Sequence, residues 1–192
     1  MLPNDSDGEI EVERSVTVDG APPGVYIRNH HRFIEVGQFN RVGIYENVGR
    51  NNGVFLDGVF IDHVFFDHAA PANLGTVGFF LLAVTAYRLN FAEITLLAGG
   101  GTPSHALEWG IPGMVGFKVW PKFGFDAALE ANETSAVPGL SNCRTVQDVR
   151  RKNLDWWENV GGNGRVMRFD LSPHSKSWRI LLDYVGGKKE FK

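Results

Sequence analysis

Two aspartate–histidine pairs stand close together in this chain, Asp62-His63 and Asp67-His68. A further histidine, His105, follows a run of glycines, with Glu108 just beyond it. Imidazole titrates near neutral pH, so each of these histidines is a natural proton acceptor. The two Asp-His pairs also carry metal-ligand chemistry. On a strand, however, 63 and 67 share one face while 62 and 68 point the other way, so only two ligands converge and no metal site is expected. Ser104-His105 lacks the strand-to-helix elbow of a Gly-x-Ser-x-Gly nucleophile, so no serine nucleophile is expected. Cys143 is the single cysteine. It can form neither an intrachain disulfide nor a thiolate-rich zinc site, which fits a reducing compartment.

These residues need elements to position them. Alternation predicts a strand over residues 9–18, followed by a turn at Asp19 to Gly24. Shorter strands are expected at 25–28, 32–36 and 41–48, then a turn at 49–53. Residues 54–67 form the most strand-like segment. Its Asp57-Gly58 is either a hairpin turn or a bulge in one long strand. The period then changes. Residues 75–89 are apolar on nearly every side and too long for a strand, which predicts a buried central helix. A short strand over 93–98 and a flexible Gly99-Gly100-Gly101 loop come next, the loop being a candidate gate.

The second half reads differently. A weaker helix spans about 114–122, stopped by Pro121, and residues 127–144 are polar and loop-like. Thr145 can cap a helix, with Asp148 suited to the first turn. Its apolar stripe is Val146, Val149, Trp156 and Val160, and Gly161-Gly162 ends it. Trp157 falls about 100° off that stripe, either wrapped by neighbouring chain or left as a partner-binding anchor. Arg150, Arg151 and Lys152 read as a solvated helix face, and His30-His31 as a solvent-facing loop. Residues 165–171 and 178–184 read as two closing strands. The expected class is α+β (mixed α/β): a single twisted mixed sheet flanked by helices. Residues 1–8 form a disordered lead-in, and 9–192 one domain with a helical insertion at about 127–164.

Composition narrows the partners. Nineteen basic against 22 acidic residues leave a net charge of −3, so no basic field recruits nucleic acid and no DNA partner is expected. The most apolar run, 74–87, is short of the ~20 residues that a membrane helix needs. Met1 to Arg14 is acidic and polar, unlike a signal peptide. A cytoplasmic protein is expected, unless the chain is excised from a longer exported one.

A linked set of segments carries a family resemblance. An apolar strand ends at Val64-Phe65-Phe66, and the loop Asn73-Leu74-Gly75-Thr76-Val77-Gly78 leads into the helix of Phe79-Phe80-Leu81-Leu82. A strand of Ile94-Thr95-Leu96-Leu97-Ala98 follows, and the set closes on Trp120 to Phe125. In this order the chain resembles the GNAT N-acetyltransferase superfamily over about a third of its length. The resemblance implies acetyl-CoA as cosubstrate and an amine acceptor, small molecule or protein. It places cofactor contacts at Phe66, His68, Gly75, Thr76, Val77 and Gly78, where helix-start amides and glycines suit a pyrophosphate. It also implies a general base, for which His63, Asp67 and His105 are the candidates. The direct reaction is amine attack on the thioester, with no covalent enzyme intermediate. Asn73 stands where the family has Gln or Arg, Thr76 where it has Gly, and Trp120 where many members carry a tyrosine acid. These departures support an alternative, a GNAT-like effector, toxin or binding module that has lost acetyl transfer and engages a macromolecular protein partner.

Overall fold

The computed structural model describes residues 7–14, 21–46, 56–103 and 113–187. Ser104, His105 and Glu108, the turn at 49–53, Asp19-Gly20 and residues 1–6 of the expected lead-in lie outside the described residues. The described strands are β1 (Asp7–Glu13), β2 (Gly24–His30), β3 (Asn40–Glu46), β4 (Leu56–His63), β5 (Glu93–Gly101) and β6 (Asn163–Asp170). They form a mixed sheet in chain order, β1 to β6. With five α-helices among the described residues this is the α+β class read from the sequence. Contacts divide the chain into two compact units, Met1–Leu96 and Leu97–Lys192.

In the first unit, β1 to β4 form an antiparallel meander. β4 then pairs in parallel with β5 through the crossover helix α1, Leu74–Arg88. A parallel neighbour requires such a crossover. The pairing register sorts the side chains into two faces. Ile10, Ile27, Val42 and Ile61 line up across the strands on one face, with Val12, Val25, Ile44 and Val59 in the adjacent row. The opposite face carries Glu9, Glu11, Glu13, Arg28 and Arg41, together with Tyr26 and Tyr45. Tyr26 lies flat across Gly43, where an added Cβ would overlap its ring. With Ala21, Tyr45 and Phe60 it makes a buried cluster.

Several sequence expectations are corrected in this unit. Residues 32–36 are not a strand: the amides of Ile34 and Gln38 donate to the carbonyls of His31 and Glu35, closing two successive turns. His31 does not face solvent. It is buried, and its Nδ1 accepts from the Phe33 amide. Asp57 resolves as a bulge, since Tyr45 pairs with Gly58 and Glu46 with Leu56, leaving one extra residue in β4. β4 ends at His63, so residues 64–67 are loop. α1 buries only one stripe, Thr76, Phe79, Ala83 and Ala86, while Leu81 and Tyr87 are exposed. Its uniform hydrophobicity concealed the stripe.

The second unit is built around aromatics. Its helices are α2 (Gly116–Val119), which continues as a 3-10 turn over Trp120–Phe123, then α3 (Val146–Lys152), α4 (Leu154–Trp156) and α5 (Lys176–Gly187). A π-helical turn follows α4 at Trp157–Gly161. Gly99–Gly101 belong to β5 rather than to a flexible gate. Gly100 takes φ +92°, and a Cβ there would overlap the carbonyl of Met114, which approaches as Val115 bridges to Gly100. Residues 178–184 are helical, not a strand. Ser175 Oγ accepts from the Trp178 amide, and Ser177 and Leu181 are buried at helical spacing. Thr145 and Asp148 form the expected capping box. The helix then breaks at Asn153 (φ −152°, ψ 84°), and this break with the π turn rotates the stripe. Trp157 becomes the fully buried indole, its Nε1 donating to the Phe117 carbonyl at 3.0 Å, and Val160 is exposed. Arg150 is not a freely solvated cation. Its pKa is lowered by burial, partly offset by Glu158 at 3.3 Å. No helix among the described residues is long and apolar enough to cross a membrane.

Candidate functional site

The end of β4 holds the most organised polar cluster of the first unit. Arg41 pairs with His63 across the β3–β4 ladder while Val42 pairs with Ile61, so Asp62 is a second extra residue in β4. Strict alternation would send Asp62 and His63 to opposite faces. The bulge lets both carry their polar groups toward Arg41. His63 Nδ1 lies 2.8 Å from Asp62 Oδ2. Arg41 Nη1 donates to the same oxygen at 2.7 Å. The guanidinium also meets Glu11 and Glu13, each at 3.2 Å, and its centre lies 4.3 Å over the Tyr26 ring.

The side chains of Arg41 and Asp62 are only 7% and 5% exposed. A buried charge needs such partners. For Asp62, burial raises the pKa, but the hydrogen bonds from His63 and Arg41 outweigh it and hold the carboxyl below its usual range. For Tyr26, burial pushes the phenol up to about 12, opposed by Arg41 and reinforced by Asp62 and Glu13. The His63 ring contacts two aromatics, Phe39 at 5.4 Å and Phe65 at 5.9 Å, the latter stacked on it. His63 is therefore held by a carboxylate beside Nδ1 and by two ring contacts.

The loop after β4 leads to the start of α1. The Asp67 amide donates to the Phe33 carbonyl. Its carboxylate accepts from the Ala69 amide at 2.7 Å and lies 3.1 Å from His68 Nδ1. Asp67 thus serves its own turn, and His68 is exposed. Phe66 packs over Gly75, where a Cβ would meet its ring at 3.2 Å, tying the loop to the first helical turn. Asn73, at the helix start, is left-handed with φ 63° and makes no side-chain cap. The Leu74 and Val77 amides donate to the carbonyls of Pro71 and Asn73. Gly75 and Thr76 keep first-turn amides with no i−4 carbonyl inside the helix. No acidic residue stands in that turn. Amides so arranged favour an anion. The Thr76 side chain is buried, so its amide is what it presents. A Cβ on Gly78 would meet nothing within 4 Å.

The sequence points to His63, offers Asp62 only as a metal-ligand candidate, and leaves Arg41, Glu11 and Phe39 unassigned to the site. The alternation of glutamates in β1 was the available signal for buried cations on the neighbouring strands. Among the described residues no cluster of three or more acidic, histidine or cysteine groups could hold a metal ion. Comparison of the chain with models of known families, with curated proteins and with solved structures finds no match.

Proposed function

We propose that this chain is an acyl-CoA-dependent N-acyltransferase of GNAT type, with His63 as its general base. The observation that supports this most is the oriented Asp62–His63 pair at the end of β4, one loop before the uncapped start of α1. With Nδ1 turned to Asp62, Nε2 is the nitrogen that accepts a proton. His63 takes that proton from the acceptor amine as its nitrogen bonds to the acyl carbon. The carbon–sulfur bond then breaks with its electron pair going to sulfur, CoA leaves as the thiolate and takes up a proton from water, and His63 gives its proton back to solvent. The Gly75 and Thr76 amides suit the pyrophosphate, and the open side of Gly78 lets it approach. Phe66 and Val77 line the same turn. Acetyl-CoA is the proposed cosubstrate, and a cytoplasmic setting agrees with buried Cys143 as a thiol.

The test is a calorimetric titration with acetyl-CoA and with desulfo-CoA. Micromolar binding, together with acetyl transfer lost in His63→Ala, is expected. No binding up to millimolar cofactor sinks the proposal. The second reading, a binding module without transfer, is favoured by the use of Asp67 within its own turn. It predicts a folded chain that does not bind acetyl-CoA.

A further inference from the structure

β1 is the outermost of the described strands, and its ladder to β2 is unbroken from Asp7 to Glu13. It contains no proline and no bulge, two devices that close off sheet edges. Its side chains are sorted by chemistry. On one face Ile10 is 72% and Val12 60% exposed, continued inward by Ile27 at 55% and Val25 at 44%. On the other face stand Glu9, Glu11 and Glu13. Here, among the described residues, four carboxylates, Asp62 included, meet two guanidiniums, Arg28 and Arg41. Glu9 is the least engaged, exposed and 3.9 Å from Arg28.

We propose that the outer edge of β1, which no described strand pairs, takes an added strand from another protein, an extended segment whose residues alternate between aliphatic and basic. Backbone hydrogen bonds supply the register, and the alternate side chains supply the selectivity. The aliphatic residues extend the row of Ile10 and Ile27, and the basic ones meet the surplus carboxylates. A second copy of this chain fits poorly. Antiparallel pairing of two β1 strands sets Glu9, Glu11 and Glu13 of each copy on one face, and directly opposed like charges destabilise a sheet. The acidic row therefore disfavours self-pairing while favouring a basic partner. This inference does not depend on acyl transfer.

The test adds a short labelled peptide of alternating valine and lysine to the full chain. Anisotropy should show saturable binding that weakens with salt, and hydrogen exchange should slow at the amides of residues 7–13. Glu9→Lys and Ile10→Lys should each weaken binding by roughly tenfold. A peptide of alternating valine and glutamate should not bind, a control that leaves the protein unaltered. Equal binding of a peptide with the same residues in blocks would overturn the proposal, because charge alone would then suffice. So would unchanged exchange in β1, or a dimer in sedimentation that Ile10→Lys dissociates, which would make the occupant a second copy.

Discussion

Arg41 and Asp62 form a near-buried ion pair at 2.7 Å across β3 and β4. The same Asp62 oxygen faces the His63 ring, so the pair sets the orientation of the proposed base. Asp62→Asn removes the charge while keeping the shape. Breaking a buried pair costs about 3 kcal/mol, and the glutamates that still meet Arg41 keep the loss near that lower figure. Urea unfolding of the full chain checks it. A change within about 0.5 kcal/mol, the scale of a surface substitution, would show that the pair contributes nothing to the fold.

The depressed Asp62 carboxyl makes stability depend on acid. Its folded pKa lies below that of the unfolded chain, near 3.9. The stabilisation is therefore fully present above about pH 4 and is lost as pH falls through the folded value. Asp148 behaves alike: burial raises its pKa, but the amides of Arg144 and Thr145, with Lys176 and Arg151, hold it low. Urea midpoints measured downward from about pH 5 should fall, with a shallower slope in Asp62→Asn and in Asp148→Asn. Parallel slopes in all three proteins would contradict the assignment.

Tyr26 gives the opposite limb. Its folded pKa near 12 exceeds the ordinary value near 10, so its contribution is complete below about pH 10 and is lost as pH rises from 10 to 12. Phenolate absorbance should contain a component centred near pH 12 that Tyr26→Phe removes.

Gly78→Glu separates folding from binding. Gly78 lies inside α1, where an added Cβ meets nothing. Replacing a helical glycine gains about 0.5–1 kcal/mol, so the thermal midpoint should hold or rise. The added carboxylate, which both fills the open side and repels the pyrophosphate, should nevertheless weaken acetyl-CoA binding by at least tenfold in the calorimeter. Unaltered affinity would remove the α1 start from the proposed site.

Gln147 is the polar keystone of the second unit. Its Nε2 donates to the carbonyls of Pro121 and Phe125 at 2.7 and 2.8 Å, and the residue is buried. Gln147→Leu strands the Phe125 carbonyl, while the Pro121 carbonyl keeps the Gly124 amide at 3.2 Å, and should cost about 1–3 kcal/mol. Differential scanning calorimetry reads that as a lower midpoint.

Much of the first unit was legible because its patterns are local. The strands 25–28 and 41–48, the helix after Gly75 and the return strand at 93 follow period and turn residues. The capping box at Thr145 was legible for the same reason. The misses have physical causes. Residues 178–184 show Trp, Ile, Leu and Tyr, which suit a strand, yet Ser175 caps them as a helix. The Gly99–Gly101 run resembles a loop until the backbone at Met114 and Val115 needs the room. At the site, His63 was visible as a residue type. Its partners were not, because a bulge places Asp62 beside it and a ladder brings in Arg41 from 21 residues away. Neither leaves a periodic trace in the sequence.

The bulge at Asp62 separates position from reactivity. His63 already stands opposite Arg41. Deleting Asp62 would leave the imidazole on the same face and in the same rung, stripped only of its carboxylate. Read in reverse, adding one codon to a plain strand would create an Asp–His pair without turning any other side chain over. A single insertion at this rung is thus the shortest genetic step between a plain strand end and a histidine held against a carboxylate.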